Sequence, residues 1–313
     1  MIGRRALLLS GTLALAGCTV GENVQWLPWA APSPLPVAVP EGLPERVART
    51  AALAALLAGN AAAWKLNDRR VDTLEWFGRA REEQVEVLRS TDPARRQRAA
   101  TPLPSQPVPS ERTASAAQNA LVTQLRSLQA AHRTSALATS GPAALLWASL
   151  AAFSAVMAAR LPAGLTALGD DDATQTPDLT GTGAVRIVQL ADQAAYSYEL
   201  ALAATGLNKA ATAALRNRLT QWRGLRSEVL TASPGLQPTP PPVGYDQRPA
   251  RSRAEAWQLA VQTESAALPM FGAWLAGTAS AAERRVAVDA LVTGTSALVG
   301  FGGPALRWPG WPG

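Results

Sequence analysis

Apolar residues recur along this chain at three- and four-residue intervals, and the pattern predicts eight helices separated by Pro- and Gly-rich breaks. Glu45 to Leu66 is apolar on one side, through Val47, Leu53, Leu56, Leu57 and Trp64. Asp68 to Ser90 carries Leu74, Trp76, Phe77, Val85 and Leu88 on one face and stops at Asp92-Pro93. After a Pro-rich loop from Pro102 to Pro109, Ser110 and Thr113 read as an imperfect capping box. The helix that follows reaches about Ala138 and places Leu121, Leu125, Leu128 and His132 on one stripe. Ala143 to Leu161 is apolar nearly all round, which predicts the most buried helix of its set. Gly183 to Gly206, Asn208 to Ala232, Ser252 to Leu275 and Ser280 to about Val299 complete the series. The last opens with Ser280 and, three residues on, Glu283, a full capping box.

No stretch alternates in the manner of a strand, and Ala, Leu, Arg, Glu and Gln are strong helix formers, so the fold is expected to be all-α. The Gly-, Asp- and Thr-rich break from Pro162 to Thr182 divides the helices into two sets of four. Each set has a Pro-rich loop after its second helix, and Trp76-Phe77-Gly78 loosely echoes Trp222-Arg223-Gly224. Two tandem antiparallel four-helix bundles are therefore expected, over residues 45–165 and 184–313 with a linker at 166–183. Asp170-Asp171-Asp172 lies in that linker; three adjacent carboxylates on a tight turn cannot all face one ion, and a solvated segment is expected there. Gly300 to Pro304 follows a helix and reads as a helix stop, not a phosphate loop.

The N-terminus is a leader by pattern. Arg4 and Arg5 precede an apolar run from Ala6 to Ala16, far shorter than the roughly 20 residues that cross a bilayer. Leu15-Ala16-Gly17-Cys18 resembles the lipobox of bacterial lipoproteins, and the resemblance implies a signal at 1–17 and fatty acylation of Cys18. Acyl chains contribute roughly 0.8 kcal/mol per buried CH₂, so two or three of them hold a protein stably on a membrane. Arg4-Arg5 also resembles a twin-arginine export signal, without the usual Ser before it. Residues 18–44 carry Pro28, Pro32, Pro34, Pro36, Pro40 and Pro44 and read as an extended tether. With Cys18 acylated, the chain has no thiol for a disulfide or a redox centre.

The formal charge is +6, with arginines scattered among Glu and Asp over many helices. That pattern predicts solvated helix faces; a nucleic-acid surface would need a concentrated patch, and no nucleic-acid partner is expected.

From Ala184 onward the order helix, helix, Pro-rich loop, helix, helix and Trp-Pro tail resembles an actinobacterial ferritin-like domain of unknown function. The residues that carry the resemblance are Leu190-Ala191-Asp192-Gln193-Ala194-Ala195-Tyr196, Leu215 to Leu230, Ala254 to Leu275 and Arg307-Trp308-Pro309-Gly310. Di-iron proteins of that architecture bring a Glu from each of two helices and a Glu-x-x-His from each of the others. Here the one histidine, His132, has Gln129 three residues before it, and Gln221 stands about where a second-helix histidine would fall. Glu199, Glu264 and Glu283 remain as carboxylates without imidazoles, so no metal, cofactor or catalytic residue is expected. Tyr196, Tyr198 and Glu199 are placed to line the second bundle, and the Tyr198 hydroxyl needs a partner there. His132 is expected on a helix surface or between helices, hydrogen-bonded to a neighbour, and Trp308 and Trp311 are expected to fold back on the helices.

The function this implies is a non-enzymatic, lipid-anchored lipoprotein at the outer face of the cell membrane. It would meet the membrane through Cys18 and act as a protein-binding or structural module for an envelope partner. A second reading is a carrier of lipid or another hydrophobic ligand, in a slot lined by Trp147, Phe153 and Met157.

Overall fold

The computed structural model describes residues 37–96, 99, 107, 110–169, 183–238, 240–242 and 244–311. Cys18, the leader, the tether up to Pro36, most of the first Pro-rich loop and Asp170-Asp171-Asp172 lie outside the described residues. Among the described residues the fold is all-α, with eight α-helices and one isolated bridge between Leu168 and Ala305. The helices are α1 Leu43–Gly59, α2 Asp68–Leu88, α3 Ala114–Ala138, α4 Gly141–Arg160, α5 Ala184–Leu202, α6 Lys209–Ala232, α7 Arg253–Gly277 and α8 Ala281–Gly300.

Local chemistry sets the ends, and three of them differ from expectation. Helix α1 stops at Gly59 and not at Leu66: Asn60 turns its carboxamide back onto the Leu56 carbonyl, and Lys65 adopts a left-handed backbone conformation that no helix interior permits. Helix α3 is capped by Thr113 itself, whose hydroxyl accepts from the Ala116 amide, so Ser110 does not begin it. At α8 Ser280 accepts from the Glu283 amide, but the reciprocal half of the capping box is missing. The Glu283 carboxylate instead accepts from Ser233, Trp274 and Thr278, tying the ends of α6, α7 and α8 together. Helix α8 closes as expected with a Schellman turn: Gly302, at φ +92°, donates to the Val299 carbonyl and Gly303 to that of Leu298.

Helices α5, α6, α7 and α8 pack as a ring, α5 and α8 each lying against both α6 and α7. In the first set α1 packs on α2 and α3, and α3 on α4. The two sets are not separate bodies. The described residues form one compact unit, because α4 packs on α7 and α8 as well as on α3. Leu145, Trp147 and Leu150 of α4 therefore belong to the same core as Leu215, Phe271 and Leu291. By length and composition α4 would also pass for a membrane span, yet most of its residues are buried in protein. Its lack of a polar face follows from having neighbours on every side.

The C-terminal tail completes this junction. Trp308 and Trp311 are buried, as expected of a tail folded onto the helices. The Trp308 indole donates to Glu83, Gln84 donates to the Arg307 carbonyl, and the Arg96 guanidinium lies over both tryptophan rings. Gly310, at φ +86°, sits so close to α7 that a Cβ built on Gly272 would lie 1.9 Å from the Gly310 carbonyl oxygen.

Candidate functional site in the second helical set

At the centre of the second set a single carboxylate, fully buried, organises three helices. Glu264 of α7 accepts from the Tyr198 hydroxyl of α5 at 2.6 Å and from the Trp222 indole of α6 at 2.9 Å. The Arg218 guanidinium of α6 adds two more bonds, Nε to Oε1 at 2.8 Å and Nη2 to Oε2 at 2.7 Å. Charge-assisted bonds in a two-pronged geometry are the strong kind, and burial removes the water that would compete for them. The Arg218 plane also lies over the Trp222 ring at 4.7 Å, and Trp222 stacks on Phe271. Gly294 lets α8 close over the cluster; a Cβ there would meet Leu268, Phe271 and the Glu264 carboxylate within 3.6 Å.

The electrostatics follow from this arrangement. Burial and then the Glu264 charge push the Tyr198 hydroxyl well above the usual phenol range, so it remains a neutral donor. Burial alone would lower the Arg218 pKa, but its bonds to Glu264 and that carboxylate's charge outweigh burial and raise it. The ensemble is a closed ion pair. Oε1 accepts three bonds and Oε2 one, which leaves little of the carboxylate for a metal ion. The cation beside Glu264 is the Arg218 guanidinium.

The residues singled out by sequence do not converge on one centre. Tyr198 points inward and finds its partner in Glu264, but Glu199 does not line the core. It is half exposed and pairs with Arg223 at the surface, because one residue beyond Tyr198 is a rotation of about 100° around the helix. Glu283 sits at the start of α8, and Gln221 is exposed, accepting from Arg218. Tyr196 is half-buried against Tyr245. Among the described residues no three His, Cys, Asp or Glu side chains cluster as metal ligands would.

Arg218 and Trp222 were the residues missed. The arginines are not all on solvated faces: Arg81, Arg218 and Arg284 are buried. The sign was present in the pattern. Arg218 interrupts the stripe Ala211, Leu215, Trp222, Leu225, Val229, and Glu264 interrupts Ala256, Ala260, Ala267, Phe271. A charge on each of two facing apolar stripes, with opposite signs, is what a buried pair looks like in sequence.

The first set holds a second buried cation without such a partner. Arg81 is enclosed between Phe77 and Phe153, its guanidinium 5.3 and 4.7 Å from their ring centres. It donates to Gln84 and Ser154, and burial pulls its pKa down to about 9. His132 is likewise buried, lying between helices as one of the two expected positions had it, stacked on Trp147 and with the Leu150 backbone of α4 beside its ring. Burial, then the Arg81 charge, hold its pKa down to about 3, so it is neutral at ordinary pH.

The fold is that of an all-α helical-bundle protein with a buried ion pair at the centre of its second set. Within it, residues 187–313 match a family described as a domain of unknown function (DUF4439). No curated protein and no solved structure matches the chain.

Proposed function

We propose that this chain is a lipid-anchored, non-catalytic helical protein of the cell envelope, fixed by acylated Cys18 to the outer face of the membrane. It acts there through its surface, as a protein-binding or structural module. The ferritin-like reading of the second set belongs to the same proposal: the scaffold is kept while the position of a di-iron centre is given to Arg218 and Glu264. The observation that carries the proposal is the saturation of Glu264 by Tyr198, Arg218 and Trp222. A carboxylate enclosed in this way supports packing and orientation, and does not offer a general base or a ligand position. A hydrophobic-ligand carrier has less support: Trp147, Phe153 and Met157, which would line its slot, are buried in packed contacts.

The test is intact-mass and metal analysis of the protein recovered from its own membranes. A diacylglyceryl cysteine at the mature N-terminus, release of Cys18→Ser into the soluble fraction, and iron far below one per chain are the expected results. An unmodified Cys18, or stoichiometric iron, would overturn the reading.

A further inference from the structure

Outside the buried centre, a groove of about 570 Å³ runs between α5 and the Pro-rich connection that follows α6. Its two walls differ in kind. One is the exposed stripe of α5 carrying Arg186, Gln189 and Gln193, with Asp192 beside it. The other is the run Pro240-Pro241-Pro242 and the Tyr245 ring, which leans on Tyr196 at 5.4 Å between centres. The volume falls within the range of small-ligand sites.

The polar wall is free to bind. The carboxamides of Gln189 and Gln193 make no hydrogen bond to the described residues, and one helical turn separates them by about 6 Å along the axis. Asp192 is already neutralised by Arg226 at 2.8 Å but keeps acceptor capacity. Partial burial and the Asp192 charge raise the Tyr245 pKa, so its phenol stays a neutral donor. The groove thus presents planar amide, guanidinium and carboxylate groups beside proline and tyrosine rings, with Leu190 and Met270 also lining it and Arg186 as its one cation not paired with Asp192.

This geometry points to a neutral glycan as the ligand of the α5 groove. Planar side chains pair with adjacent hydroxyls on a sugar ring, and an aromatic face takes the ring's C–H side. An apolar peptide would need deep side-chain pockets, whereas a nucleotide or phosphorylated ligand would need more cation than Arg186 supplies. The inference does not rest on the lipid anchor or on the absence of catalysis.

The experiment is ligand-observed saturation-transfer NMR on the full chain in detergent. The probes are disaccharides of glucose, galactose, mannose, xylose and N-acetylglucosamine, with a proline-rich decapeptide as the rival. At least one disaccharide should show transfer to its ring C–H protons. Its affinity should fall about tenfold or more in Tyr245→Ala and in Gln189→Ala, and stay unchanged in Ser227→Ala on another groove. Gln189 is an exposed helix position where Ala is the better helix former, so its loss cannot be blamed on unfolding. Silence across the whole sugar panel, binding that survives both variants, or binding of the peptide in preference to sugars would each defeat the inference.

Discussion

Arg218 and Glu264 face each other at 2.7 and 2.8 Å through two parallel hydrogen bonds, with Glu264 sealed from water and Arg218 nearly so. Each charge offsets part of the other's cost of burial. Replacing Glu264 by Gln keeps the shape and deletes the anion, leaving a buried guanidinium without its counter-charge. The expected loss is about 3–5 kcal/mol of unfolding free energy, read from urea or thermal melts. Replacing both partners with apolar residues, Arg218→Met with Glu264→Leu, should recover much of that loss. A Glu264→Gln protein as stable as the parent would show that the pair is not what holds α6 to α7.

The neutral, buried His132 makes stability depend on pH. Its folded pKa of about 3 lies below the ordinary histidine value of 6.5, so between those values the unfolded chain binds more protons than the folded one. The contribution is complete above about pH 6.5 and is lost progressively as pH falls towards 3, with a slope of at most about 1.4 kcal/mol per pH unit. His132→Phe, which keeps a ring against Trp147, should flatten that part of the profile. If parent and variant lose stability in parallel over this window, the imidazole is not the group responsible.

The approach of Gly272 to Gly310 gives a test of the tail. A methyl group at 272 would collide with backbone and not with a yielding side chain, so Gly272→Ala must lift the tail or push α7 aside. Overpacking of this kind costs about 1–3 kcal/mol, sometimes more. Trp308 and Trp311 should then become exposed, seen as red-shifted emission and faster proteolysis after Pro304. Emission identical to the parent's would mean that the tail does not dock where it is placed.

The helices were legible because a 3.6-residue period is written directly in apolar positions, and because Asn67, Asn208, Ser252 and Ser280 are strong N-cap residues. Their ends were less so, since Gly59, Asn60 and Lys65 break α1 inside a stretch whose apolar pattern continues to Leu66. Packing between elements was least legible. Nothing in the Ala143 to Leu161 run says whether its neighbours come from one set of helices or from both. Arg81 and Arg218 resemble surface arginines until the apolar stripes they interrupt are aligned with what faces them. Tyr198 was recognised as needing a partner, but choosing among Glu199, Glu264 and Glu283 required the helix phase of each.

The shared core also predicts how the matched region behaves alone. In the intact chain α4 covers the α7 and α8 faces, with Leu145 close to Gly310 and Leu291. Arg133 of α3 binds Asp289 of α8, and Arg284 donates to the Leu137 carbonyl at the end of α3. A chain beginning at 184 loses these partners together with Glu83, Gln84 and Arg96, which hold the tail. Its α7 and α8 would then show water the apolar side chains now covered by α4, and such a patch seeks another surface. Expressed alone, residues 184–313 should associate or bind a hydrophobic dye, and adding a separate chain of residues 37–169 should suppress both. Sedimentation and dye fluorescence measure this directly. A monomeric, dye-silent 184–313 with the parent's thermal stability would mean that the second set is self-sufficient and that α4 is only its neighbour.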